Sequence, residues 1–163
     1  MGENTLFKNI NKLKQRVKKE LLSNQNILKL VKYNVDDPLS EPDVDDAQSL
    51  LNDYIYLNPV VWDSVIDDTR TFILCNIRVA PTRNSQQFVD VYLYVYVICH
   101  NDIYDLENGE TRVWNICDEL MGSFNKTWGN GVGACQFRSM NEVTSRKDYY
   151  AVELQFVFTE FKI

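Results

Sequence analysis

FVDVYLYVYVICH, residues 88–100, alternates with a period of two. Val89, Val91, Leu93, Val95, Val97 and Cys99 fall on one side, and Phe88, Asp90, Tyr92, Tyr94, Tyr96 and Ile98 on the other. Successive side chains of an extended backbone point to opposite faces, so the segment reads as a β-strand with one wholly aliphatic face. That face belongs to a hydrophobic core. The tyrosine face needs cover too, either from another layer of the same chain, such as its first helix, or from a partner surface, where Tyr is enriched.

The neighbouring segments extend this strand into a sheet. Residues 71–80 alternate as well, with Ile73, Cys75, Ile77 and Val79 opposite Asn76 and Arg78. The polar stretch PTRNSQQ (81–87) joins the two as an antiparallel hairpin. Residues 134–143 and 149–161 read as two further strands around a turn at Ser145–Asp148; Tyr150, Val152, Leu154, Phe156 and Phe158 share a face opposite Glu153 and Gln155. Helical periodicity brackets these strands. Leu6, Ile10, Leu13, Val17 and Leu21 form one stripe over residues 4–23, with lysines opposite and caps at Ser23 and Asn24. Ile27, Leu28, Leu30 and Val31 suggest a short second helix, and Val113, Ile116, Cys117, Leu120 and Phe124 a third, after Asn108-Gly109. The segment 34–53 is a Pro/Asp-rich loop in which Asp43 or Asp45 could cap a short turn, and 54–66 is an edge strand or an irregular segment around Pro59. The expected fold is α+β: an antiparallel sheet of four strands, or slightly more, with helices packed on one face. The 163 residues form one domain, with a helical part at 1–33, an acidic loop region at 34–70 and the sheet-and-helix core at 71–163.

Composition narrows the function classes. The net charge is −6, against the dominant basic patch of a general nucleic-acid binder. The charge is unevenly placed. Residues 1–32 carry eight basic and two acidic side chains, whereas residues 36–70 carry ten acids and only Arg70. The basic helix face, with Lys12 and Lys19, is solvated or meets the acidic segment of a neighbouring copy. The N-terminus lacks the apolar core of a signal peptide, and no run approaches the length of a membrane span, so synthesis in the cytoplasm and no membrane association are expected.

No catalytic constellation stands out, and an enzyme is not expected. Cys75, Cys99, Cys117 and Cys135 form no C-x-x-C pair and read as buried free thiols. His100 is the only histidine and sits at a strand end, so neither a hydrolytic triad nor a zinc site follows. The pairs Asp36-Asp37, Asp45-Asp46 and Asp67-Asp68 match no defined metal loop. A nuclease using Asp45 or Asp67 with a metal is the weakest rival. Gly129–Gly133 leads into a strand, whereas a phosphate-cradling loop leads into a helix. No cofactor is implied.

Several stretches resemble, in pattern, small neck and tail-terminator (tail-completion) proteins of tailed bacteriophages. A Lys-rich first helix runs into KYN (32–34), and a Pro/Asp-rich loop follows. The hairpin ends in VICH (97–100), and a helix with Trp114 and Leu120 leads to GVGACQFRSMNEV (131–143); the last strand is YYAVELQFVFTEF (149–161). The long 34–70 segment departs from the short members of that family. The resemblance implies an α/β sandwich that assembles into a ring, often hexameric, at the head–tail junction of the virion. Its partners would be copies of itself, the tail-tube protein and other neck or connector proteins, and DNA would pass without specific binding. Tyr92, Tyr94 and Tyr96 are the candidate subunit contacts. Arg83 and Asn84 at the hairpin tip, and Asp43, Asp45 and Asp46 in the acidic loop, are candidates for neighbours or for the channel. The alternative is a small non-catalytic ligand-binding or regulatory α+β domain.

Overall fold

A computed structural model describes residues 6–58, 68–81, 88–128, 133–143 and 148–162. Three helices, α1 (Leu6–Ser23), α2 (Gln25–Lys32) and α3 (Arg112–Phe124), accompany strands β1 (Ile55–Tyr56), β2 (Thr71–Pro81), β3 (Phe88–His100), β4 (Thr127–Trp128), β5 (Gly133–Val143) and β6 (Tyr149–Lys162). The sheet order is β1-β2-β3-β6-β5-β4. The four long strands are antiparallel to their neighbours, as expected from the alternation. The two-residue strand β1 supplies the edge strand, one of the two readings of 54–66; it runs parallel to β2, pairing Ile55 with Ile73. Asn52 allows this edge: it takes a left-handed conformation (φ 64°), which Asn tolerates, and its N–H donates to the Ile55 carbonyl.

The aliphatic face of β3 is buried along its whole length, from Val89 to Cys99. Val95 lies between Cys75 of β2 and Leu154 of β6, and Leu93 between Ile77 and Phe156. The helices cover this face. α3 packs on β3, β5 and β6, and α2 on β2; α1 lies against α2, α3 and the turn at Ala47–Leu50. All five stripe residues of α3 are buried, as are Leu13, Val17 and Leu21 of α1. A 13-residue helix is marginal alone in water, so this packing rather than propensity holds α3.

α2 has only eight residues and needs holding at both ends. At its start the Asn24 Oδ1 accepts the Ile27 N–H, while the Asn24 amide donates to Glu119 (2.9 Å) on α3. At its other end the buried guanidinium of Arg112 donates from Nη1 to the carbonyls of Leu30 and Tyr33 (2.8 Å each) and from Nη2 to that of Val35 (2.6 Å). Its Nε donates to Ile103 (2.8 Å). Arg112 is 1% exposed, and burial lowers its pKa, with Cys99 and Asp36 acting the other way. The cation faces the C-terminal carbonyls of α2, the negative end of that helix dipole.

The acidic loop departs from expectation in one detail. Asp46, not Asp43 or Asp45, caps the short turn: its Oδ1 accepts the Ser49 N–H at 3.2 Å. The turn begins at Ala47, so Asp46 is the residue placed to reach it.

Replacing Arg112 by Met should strand four backbone carbonyls in the interior. We expect a loss of roughly 3–5 kcal/mol in urea unfolding. Arg112→Lys should recover only part of it, since an ammonium cannot span four acceptors set out for a planar fork.

Candidate interaction surface

The second sheet face carries no helix among the described residues. At one end Phe72, Leu74, Ile98, Tyr149 and Ala151 form a small separate cluster, joined by Tyr56, Tyr96 and Val143. Across the middle, the register places three rows over β2, β3, β6 and β5. Asn76, Tyr94, Gln155 and Ser139 form one; Leu74, Tyr96, Glu153 and Asn141 the next; Arg78, Tyr92, Val157 and Gln136 the third.

The first two rows are tied together by side-chain hydrogen bonds. Ser139 donates to the Gln155 Oε1 (2.9 Å), and the Gln155 amide donates to the Tyr94 hydroxyl (3.1 Å). The Arg78 guanidinium sits 5.7 Å from the Tyr94 ring centre, and the Tyr92 ring lies 6.5 Å from that of Tyr94. In the next row Asn141 donates to Glu153 (3.3 Å). Burial, together with the hydrogen bond to Glu153, pushes the Tyr96 hydroxyl up to about 12, so it remains a neutral donor. All three tyrosines are half-buried, and their rings are held by neighbouring side chains rather than free. A rigid aromatic with a polar tip costs little conformational entropy to immobilise, which suits it to a contact surface.

Of the other sequence-predicted residues, Lys12, Lys19, Asp43, Asp45 and Asp46 lie on the helix side of the sheet. Lys12 and Lys19 are exposed on α1, and Asp45 and Asp46 are exposed in the acidic loop. The structure therefore does not bring them together with the tyrosines. Part of the opposed charge already meets within the chain: Lys29 pairs with Asp43 at 2.9 Å, and the Gln25 side chain brackets the backbone of Val44, accepting its N–H at 2.8 Å. Asp43 is 68% exposed, so the pair contributes at most about 1 kcal/mol. Arg83 and Asn84 lie outside the described residues, as does Asp67. Sequence reasoning placed Arg78, Glu153 and Gln155 on polar strand faces but could not set them beside the tyrosines, because that needs the cross-strand register. Ser139 and Asn141 carried no signal of their own.

These features define an α+β domain whose sheet is covered by helices on one side and presents an aromatic, hydrogen-bonded ladder on the other. The YomW family model matches residues 24–158, and the chain belongs to that family. The family name is phage-associated, in keeping with the coarse part of the resemblance. No curated protein matches the chain.

The groups most able to do covalent chemistry are withdrawn. All four cysteines are free and buried. Burial pushes the thiols of Cys75, Cys117 and Cys135 up to about 12, with Asp118 adding to the shift at Cys117. Cys99 is raised to about 11 by burial, offset by the hydrogen bond from Thr71 and by Arg112. His100 is a strand-end cap: its Nδ1 accepts the Asp102 N–H at 3.2 Å, and its ring meets Tyr149 edge-on. Among the described residues no group of three or more His, Cys, Asp or Glu side chains is placed to hold a metal ion.

At pH 8 the folded chain should react with an aromatic disulfide reagent on the order of a hundredfold more slowly than the denatured chain, which should titrate all four thiols. Above pH 9, the ordinary thiol value, the unfolded chain releases protons that the folded chain keeps. Stability should therefore fall as pH rises from 9 toward 12, measurable as a declining urea midpoint.

Proposed function

We propose that the chain is a virion structural protein, a subunit of an oligomeric ring at the phage head–tail junction. It acts by binding rather than by chemistry. It caps the tail tube and connects it to the head, as in the tail-terminator and neck proteins it resembles. Its partners are further copies of itself, the tail-tube protein and neighbouring connector proteins. The observation that carries this reading is the helix-free face bearing Tyr92, Tyr94 and Tyr96, whose rings are pinned by Arg78, Gln155 and Glu153 yet remain half-exposed. Ordered aromatics of this kind anchor protein–protein contacts. The net charge of −6 supports the same role, because a ring around a DNA path must not hold the phosphates.

Light scattering and sedimentation of the purified chain, alone and with tail-tube protein, test the proposal. The wild type should form a closed ring, hexameric as in the family it resembles, and should join tail tubes. Tyr92→Ala with Tyr94→Ala should weaken assembly by roughly 30-fold or more, the equivalent of losing about 2 kcal/mol from an aromatic anchor. The folded monomer should keep its circular dichroism. A strict monomer that never joins tails would overturn the reading.

A further inference from the structure

β5 is the outer long strand of the sheet, and among the described residues its companion β4 pairs with Gly133 and Ala134 alone. Two further backbone N–H groups are met from the α3–β4 connection: Cys135 donates to the Lys126 carbonyl, and Phe137 donates to the Asn125 Oδ1 (3.1 Å). From Arg138 to Val143 the outer edge meets no other strand among the described residues. The strand is also open to solvent there. Gln136, Phe137, Arg138, Met140, Asn141 and Glu142 are all exposed, with Phe137 at 37% and Met140 at 40%. An uncovered edge with apolar side chains is a template for pairing with another chain.

The order of residues along this edge selects the occupant. A strand that pairs antiparallel with its own copy sets each position opposite its mirror image about the two-fold axis. With the axis at Met140, Met140 opposes Met140, Ser139 opposes Asn141 of the second copy, and Arg138, the extra residue of the bulge between Phe137 and Ser139, comes opposite its Glu142. Both ion pairs form at once, one on each side of an apolar centre. Charges on sheet edges commonly serve to keep strands apart, and two like charges at these mirrored positions would do so. Opposite charges do the reverse. Arg138 has no ion-pair partner among the described residues, and the Glu142 carboxylate accepts only the Tyr150 hydroxyl (2.8 Å), which leaves acceptor capacity free. We propose that a second copy of this chain docks on β5, antiparallel and centred on Met140, to extend one sheet across two subunits. This seam stands on the edge itself and does not depend on the head–tail role.

The test is cysteine cross-linking of the full chain. Directly opposed residues of an antiparallel pair have Cα atoms about 4.5–5.5 Å apart, within disulfide range. The four native thiols are buried, so a cysteine placed at 140 is the accessible one. Met140→Cys should give a covalent dimer on mild oxidation, at least tenfold faster than Gln136→Cys, whose two copies would stand roughly 27 Å apart along the strands. Arg138→Glu should weaken dimerisation at least tenfold, and adding Glu142→Arg in the same chain should restore it. Circular dichroism checks that each variant is folded; because Glu142→Arg also loses the contact with Tyr150, the cross-link is the deciding readout. A folded Met140→Cys variant that stays monomeric, or that links no faster than Gln136→Cys, overturns the seam. If rings form without this cross-link, the seam is wrong and the head–tail reading stands. If the cross-link forms but the chain never joins tails, the seam stands without that reading.

Discussion

The helical layer depends on one buried cation. Arg112 opens α3, yet its guanidinium serves α2, binding three carbonyls at or beyond the end of that helix and a fourth at Ile103. Among the described residues no carboxylate forms an ion pair with it, although the charge of Asp36 acts in its favour. Its compensation comes from oriented backbone dipoles, which are fixed by the same fold that the arginine stabilises. An eight-residue helix does not persist alone in water, so without this clamp α2 would lack its C-terminal anchor and the core would lose Ile27, Leu28, Leu30 and Val31 as ordered cover. The clamp also fixes where the chain leaves the helical layer, because Tyr33 and Val35 lead directly into the acidic loop.

With one face sealed in this way, the other face of the sheet is left to side chains that satisfy one another. The contrast lies within single strands. On β3, Val95 is fully buried while Tyr94 and Tyr96, its immediate neighbours, are half-exposed. On β6, Leu154 sits in the core between Glu153 and Gln155, which hold those tyrosines from the side. A solvated sheet face usually carries flexible polar residues. Here the polar groups form chains that fix aromatic rings, so the surface is ordered before any partner arrives. Preorganisation of this kind lowers the entropic cost of association.

Much of this was legible in the sequence because the two periodicities are clean. The alternation in 71–80 and 88–99 named the strands, their pairing and the buried face, and the stripes of α1 and α3 named the helices and their buried sides. They did not show that α1 packs on α2 and α3 rather than over the tyrosines. What stayed hidden depends on relations between distant segments. Arg112 is one basic residue at a helix start, with no local pattern to mark it, and three of its four partners are about 80 positions away. The rows that join Ser139 to Gln155 and Tyr94 require the register of β5 on β6, and a bulge between Phe137 and Ser139 shifts that register. The cap at Asp46 was misplaced by one to three residues for a simpler reason: in a run of aspartates, composition cannot say which one stands just before the turn.

The charge pattern divides along the same lines as the family match. The matched span begins at residue 24, so α1 lies before it. That helix carries Lys8, Lys12, Lys14, Arg16, Lys18 and Lys19, six of the eight basic residues in the first 32. It is nevertheless firmly attached. Leu13, Val17 and Leu21 are buried, and Glu20 bridges Arg16 (3.0 Å) and Lys126 (2.8 Å) beyond α3. The acidic loop, in contrast, falls inside the matched span and packs on α2 through Val44 and Leu50. The bipolar surface is therefore composite: its negative part sits on the family core and its positive part on a helix laid over it. A partner that reads both the lysines of α1 and the carboxylates of Asp43, Asp45 and Asp46 meets them on the helix side, away from the tyrosine ladder. The domain thus offers two separate surfaces of different chemistry, one charged and sensitive to salt, the other aromatic and ordered.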